Sequence, residues 1–387
     1  MGGVYVHIPF CRKACHYCNF HFSTSLKLKN DFIYALLKEI EITATKYKSE
    51  NENDKEAKFL NDENIETIYF GGGTPSLLSG EELKLILEKI RNYYNISPSA
   101  ELTLEANPDD INIMQLKEWK QAGINRLSIG VQSFFDEDLQ WMNRAHTSSQ
   151  AFSAIEASQL EGFNNITVDL IYGTPTLSDE KWKENVALAV KLKVPHLSCY
   201  ALTVEPSTAL HALIVQKKLE NIDEGKQARQ FLLLIDWLEK EGYDHYEISN
   251  FAKPGMRSRH NSAYWQGKNY IGFGPSAHSF DGKVRQWNIS NNSQYIESLK
   301  NNILPLEKEQ LTDQQQLNEY IMTSLRTIEG IDLTYVEKKF GSLPAIHVER
   351  SLMKYLESGK IKLEEKKVRL TNEGKLYADG IAADLFI

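Results

Sequence analysis

Cys11, Cys15 and Cys18 fall within a span of eight residues, in Tyr5-Val6-His7-Ile8-Pro9-Phe10-Cys11-Arg12-Lys13-Ala14-Cys15-His16-Tyr17-Cys18-Asn19-Phe20. The rest of the chain holds one further cysteine, Cys199. Thiolates at that density suit soft metals and iron–sulfur clusters. Three of them on a four-iron cubane would leave one iron without a protein ligand, an open position of the kind that lets a small chelating molecule reach a metal. A disulfide would strand one of the three. Zinc is the stronger rival, with His7, His16 or His21 as a fourth ligand. Structural zinc sites, however, pair a C-x2-C with a distant second pair, whereas here one x3 and one x2 spacing share a single loop. The spacing favours the cluster.

Three other groups have chemical potential. In Gly71-Gly72-Gly73-Thr74-Pro75 the missing Cβ atoms let backbone approach a ligand closely, with N–H groups that could bind a carboxylate or an amino-acid backbone. Glu105, Gln132, Arg144 and Asp169 offer acidic, amide and basic partners of the sort needed by a ligand carrying an ammonium, a carboxylate and a ribose. Arg259-His260-Asn261-Ser262-Ala263-Tyr264-Trp265 sets an imidazole beside two large rings, which suits axial ligation of haem iron, although composition alone favours a satisfied histidine among core aromatics. His278 is a weaker second histidine.

The elements that must position these groups alternate. Apolar β-rich runs predict strands at Val4–Ile8, Ile65–Phe70, Leu102–Glu105, Arg126–Gly130, Ile166–Leu170 and Leu197–Leu202. Helical spacing predicts helices at Leu26–Tyr47, Glu81–Tyr94, Ile113–Gln121, Ser149–Glu161 and Lys181–Leu192. Such repetition implies right-handed crossovers and a parallel sheet. With no Gly-x-Gly-x-x-Gly after the first strand, a barrel is favoured over a dinucleotide-binding sheet. A barrel puts its chemistry at the carboxyl ends of its strands, and there the cysteine loop, the glycine turn, Glu105, Gln132 and Asp169 all fall.

Residues 48–64, rich in Asn, Asp, Glu and Lys, read as a solvated loop. Past residue 300 the pattern changes: helices at Gln314–Thr327, Thr334–Phe340 and Ala345–Ser358, a hairpin of Lys360–Glu364 and Lys367–Leu370 turned at Glu365-Lys366, and a last helix from about Thr371. The expected architecture is therefore α/β: a partial (β/α)6 TIM-like barrel with an extension carrying the His260 motif over residues 1–300, then a small α+β winged-helix-like domain over 301–387. That last module reads as a docking domain.

The bulk numbers fit a large domain plus a small one. The 387 residues are 42% hydrophobic and 25% charged, as in ordinary globular proteins. No apolar run approaches the ~18–20 residues of a membrane span, so an integral membrane protein is not expected. A net charge of −8 argues against a nucleic-acid partner. Few cysteines and no secretory signal point to the cytoplasm, where thiolates survive as ligands.

Cys-x3-Cys-x2-Cys after a first strand, Gly-Gly-Gly-Thr-Pro after a second and the barrel pattern together resemble the radical S-adenosylmethionine (SAM) superfamily. The resemblance implies that Cys11, Cys15 and Cys18 hold a [4Fe–4S] cluster whose fourth iron is chelated by SAM, and that reductive cleavage yields methionine and a 5′-deoxyadenosyl radical. Tyr-Val-His-Ile-Pro-Phe-Cys, Glu-Ala-Asn-Pro, Gly-Val-Gln-Ser-Phe and Asp-Leu-Ile-Tyr-Gly narrow it to the group of oxygen-independent coproporphyrinogen III oxidases and HemW-type haem chaperones. By that similarity Tyr5 lies near cluster and SAM, Gly72, Gly73 and Thr74 touch SAM, and Glu105, Gln132, Arg144, Asp169 and Ala201 complete its pocket.

Two features separate the siblings. The oxidases carry a further cysteine two residues after the third, where this chain has Phe20. They also have a segment before the first strand, whereas this chain begins almost at the strand. Both features, and the HNxxYW pattern of His260–Trp265, resemble the HemW type. The expectation is then a haem chaperone with [4Fe–4S], SAM and haem sites, His260 serving haem, and acceptor haemoproteins as partners, some at a membrane surface. The rivals are coproporphyrinogen III decarboxylation, radical opening of the haem ring, and nucleic-acid modification.

Overall fold

A computed structural model describes residues 2–51 and 64–387. Twelve strands form one sheet: β1 Gly2–Ile8, β2 Ile65–Gly72, β3 Ile96–Ala106, β4 Arg126–Gln132, β5 Ile166–Tyr172, β6 His196–Ala201, β7 Asp244–Glu247, β8 Asn250–Ala252, β9 Tyr270–Phe273, β10 His278–Phe280, β11 Val284–Asn288 and β12 Leu306–Gln310. The order is β12-β11-β10-β9-β1-β2-β3-β4-β5-β6-β8-β7. β1 to β6 pair in parallel as the sequence predicts, and β9 adds to the outer side of β1, also in parallel. The wings, β10–β12 and β8–β7, are antiparallel. Among the described residues no pairing joins the two ends, so the barrel is partial.

Helices cover the outer face because their apolar stripes need one. Leu83, Ile86, Leu87 and Ile90 of the Gly80–Tyr93 helix are fully buried, and a Ser79/Glu82 capping box starts that helix. The Lys29–Asn51 helix runs slightly beyond its predicted span; the expected loop over residues 48–64 otherwise lies outside the described residues. The Glu224–Lys240 helix was not expected, although Phe231, Leu234, Ile235 and Leu238 repeat at helical spacing. No helix among the described residues is long and apolar enough to cross a membrane.

The C-terminal part has its own core of Leu317, Ile321, Val336, Val348, Val368 and Ile381, among others. Its helices Asp313–Leu325, Leu333–Phe340 and Ser342–Glu357 lie close to the predicted ones. The hairpin Ile361–Glu364/Lys367–Leu370 turns at Glu365-Lys366, both with positive φ, and pairs with Ile331–Asp332 into a three-stranded sheet. The final helical stretch breaks into Asn372–Lys375 and Ala378–Leu385.

One buried carboxylate ties the wing to the barrel. Glu39, on the first helix, is 2% exposed and accepts hydrogen bonds from the Gly274 N–H (2.8 Å), Asn288 Nδ2 and the Tyr295 hydroxyl. Burial pushes its pKa up to about 7, partly offset by these donors. A folded-state pKa above the unfolded value means that the native state binds the extra proton, so this group's contribution falls as pH rises from about 4.5 through 7. Glu39→Gln should flatten that slope in denaturant titrations across this range. Glu39→Ala, which strands three donors, should cost about 2–4 kcal/mol.

Candidate active site at the carboxyl ends of the strands

The loop after β1 carries the three cysteines and folds back onto the turn after β2. Gly73 is what permits this: a Cβ there would sit 2.6 Å from Phe10 O and 2.9 Å from both Ile8 O and Phe10 N. Gly72 has φ +110°, and its Cβ would strike the His7 ring. The turn's amides do not stand open as the sequence suggested. Gly72 N–H donates to Glu105 Oε2 (3.2 Å) and Gly73 N–H to Ile8 O (2.9 Å).

Around this contact lies a cavity of about 420 Å³. Cys11, Cys15 and Cys18 line it together with Gly72, Gly73, Thr74, Glu105, Gln132, Arg144, Asp169 and Ala201, residues drawn from the carboxyl ends of β1 to β6. No cysteine is in a disulfide. Arg144 donates from Nη1 to Cys15 Sγ (3.3 Å) and from Nη2 to Asn107 Oδ1 (2.7 Å) and Gly130 O (2.8 Å), while its buried Nε has no partner. Gln132 holds a left-handed φ of 67°, backbone strain of the kind that collects at functional sites.

Two carboxylates stand at the inner end of this cavity. Glu105 accepts from the Tyr69 hydroxyl (2.7 Å) and the Gly72 amide; burial pushes its pKa up to about 7, with the Tyr69 bond pulling back and the Asp169 charge adding to the rise. Asp169 accepts from Ser128 Oγ at 3.4 Å, and burial pushes it up to about 6 against hydrogen bonds from Ser198 and Ser128. Both acids therefore change charge near neutrality.

The donor set separates the metal readings. His7 has both ring nitrogens engaged, with the Tyr5 hydroxyl and His21 O; His16 bonds Trp141 O and His21 bonds Asn292. None of the three lines the cysteine cavity. Among the described residues no three His, Cys, Asp or Glu side chains converge on a single-ion position. Zinc needs such convergence, with Zn–S near 2.3 Å. A cubane gives each thiolate a different iron, so three cysteines around one cavity fit it.

A second cavity, of about 810 Å³, fills the lumen beneath the first. Phe20, Glu105, Ser128, Asp169 and Tyr200 line both. Tyr5 lies in this lower chamber rather than in the cysteine cavity, and so do His260 and the exposed His278. His260 sits at the opposite, amino-terminal end of the strands. Its Nδ1 bonds Thr67 Oγ1 (2.8 Å), and its ring stacks on Tyr69 with centroids 5.1 Å apart. Glu101 Oε1 accepts from the Arg259 and His260 N–H groups (3.0 and 3.2 Å), fixing the first turn of the Arg259–Trp265 helix. Burial lowers the His260 pKa to about 4, so the ring is neutral at physiological pH with Nε2 left for a ligand. Trp265 Nε1 and Ser262 Oγ, on the same helix, are buried without partners. Thr67 and Glu101 escaped the sequence reading, since each acts across a long sequence separation.

Residues 5–189 match the radical SAM superfamily and residues 311–377 the HemN C-terminal domain. The heme chaperone HemW of Bacillus subtilis is 34% identical over 98% of both chains. The chain belongs to the HemW family. HemW of Mycobacterium tuberculosis is likewise 34% identical, over 99% of this chain and 94% of its own. HemN, the coproporphyrinogen III oxidase of Escherichia coli, shares the fold with a TM-score of 0.83, at 22% identity, over all of this chain and 90% of that one. The HemW family thus includes, in this chain, an α/β radical SAM domain followed by a C-terminal domain with its own small sheet.

Gly73→Ala should displace the cysteine loop, because its methyl meets backbone rather than a movable side chain. The expected loss is about 1–3 kcal/mol, read as a lower thermal midpoint.

Proposed function

We propose that this chain is a haem chaperone of the reducing cytoplasm that binds haem in the lower chamber and delivers it to acceptor haemoproteins. Membership of the HemW family supports the reading, and the observation that carries it is the two-chamber lumen with neutral His260 at its far end. A histidine ligand is usually oriented by a hydrogen bond from its other ring nitrogen, and Thr67 Oγ1 supplies that partner. Tyr264, Tyr270 and Trp265 line the same chamber and offer flat apolar surface for a macrocycle.

In the upper chamber Cys11, Cys15 and Cys18 would hold a [4Fe–4S] cluster, with Arg144 supplying positive charge beside Cys15. Gly72, Gly73, Thr74, Gln132 and Ala201 would bound a SAM site, the orphaned Arg144 Nε suiting its carboxylate and Glu105 and Asp169 its ammonium and ribose hydroxyls. Bound there, SAM and the cluster supply reductive C–S cleavage. Holding and releasing haem needs no turnover.

Haem titration followed by absorbance tests this reading. Wild type should bind haem, and His260→Ala should shift the Soret band and weaken binding about tenfold or more. No binding by wild type, or anaerobic conversion of coproporphyrinogen III to protoporphyrinogen, overturns the chaperone reading; unchanged binding by the variant removes His260 from it.

The carboxylate pKa values give a second expectation. A cationic ligand needs Glu105 and Asp169 ionised, so SAM affinity should rise roughly ten- to hundredfold between about pH 5.5 and pH 8 in calorimetric titrations. Glu105→Gln should remove the upper part of that rise.

A further inference from the structure

A smaller cleft adjoins the lower chamber and shares part of its lining. This cleft, of about 160 Å³, lies between the β9–β11 wing and the C-terminal domain, and Tyr320, Tyr335 and Glu319 of that domain form its far wall. Tyr264, Trp265, Tyr270 and Arg285 line both spaces and so form the wall they share. The Tyr264 ring stands 5.1 Å from Trp265 and 5.7 Å from Tyr270, centroid to centroid. One guanidinium among these rings has a specific use.

Haem is a flat apolar ring with two propionate carboxylates on one edge, so a site for it needs both aromatic walls and a cation at the correct end. Resting on the haem reading above, we propose that Arg285 is the carboxylate-binding residue of the site, exchanging its ion pair with Glu319 for one with a propionate of the bound macrocycle.

Position supports this. His260 and Tyr264 are four residues apart on one helix, hence on one face, and both line the chamber. A ring held at His260 would share this chamber with Tyr264 and Arg285. The other cations on the chamber wall do not compete well. Arg126 is 1% exposed and committed to Asn165 and Thr167, with Glu101 at 4.0 Å. Lys268 is exposed, and no ion pair among the described residues fixes its ammonium.

Arg285 is differently placed. Its side chain is 32% exposed, Glu319 at 2.8 Å is its one ion-pair partner among the described residues, and the Phe280 ring lies beneath it. The planar fork matches the two oxygens of a carboxylate. Glu319 belongs to the Asp313–Leu325 helix of the C-terminal domain. In the ligand-free protein that domain supplies the anion the propionate replaces, so loading the site releases a domain contact.

The test compares haem with its dimethyl ester, in which both carboxylates are blocked, by absorbance titration of wild type, Arg285→Met, Arg285→Lys and Glu319→Gln. Wild type should prefer the free acid by about tenfold, the scale of one charge-assisted pair. Arg285→Met should bring the ratio to about one, and Arg285→Lys should restore part of it. Glu319→Gln removes the competitor and should widen the ratio, a gain that a misfolded variant cannot imitate. An unchanged preference in Arg285→Met, or a narrowed one in Glu319→Gln, overturns the assignment while haem binding itself stands. Wild type that binds neither form removes the haem reading instead.

Discussion

Much of the site hangs on the contact of one backbone with another. The turn at Gly71-Gly72-Gly73 presses against Ile8 and Phe10 with no room for a Cβ, and through it the loop bearing Cys11, Cys15 and Cys18 takes its place over the sheet. Glu105 secures the same turn from the lumen side by accepting the Gly72 amide. A single carboxylate thereby belongs at once to the scaffold and to the chamber. Its ionisation is costly because it is buried, which is why its pKa has climbed toward neutrality.

Charge inside a barrel must be matched by partners, and the lumen is lined accordingly. Arg126 is held by Asn165 and Thr167, His196 by Thr167 and Tyr246, Glu101 by two amides of the His260 helix. The polar groups form layers from the cysteine end down to His260. The strands that contribute them are apolar on their outer faces, where Val4, Val6, Ile8, Ile68 and Phe70 meet the helices. Alternation along each strand thus produces two interiors, one dry and one suited to a ligand.

Sequence legibility follows from the same distinction. β1, β2 and β5 announce themselves through dense β-branched and aromatic runs and β4 and β6 through alternating apolar residues, and the residues just past their carboxyl ends were legible as a site because barrels place chemistry there. The opening half of β3, Ile96-Ser97-Pro98-Ser99-Ala100, is too poor in strand formers to be recognised alone. β7 to β12 are three to five residues long and owe their conformation to their neighbours. The supports of His260 were invisible for a related reason. Thr67 reaches it across 193 residues and Glu101 holds its helix from 159 away, so no local pattern marks their role.

Phe20, Glu105, Ser128, Asp169 and Tyr200 face both chambers. Any guest that repositions or ionises one of them alters the walls met by a guest next door. By thermodynamic reciprocity, whatever factor the upper occupant imposes on the lower one's affinity is returned in equal measure. The partition is therefore a natural conduit by which a molecule of one kind could report its presence to another without their ever touching.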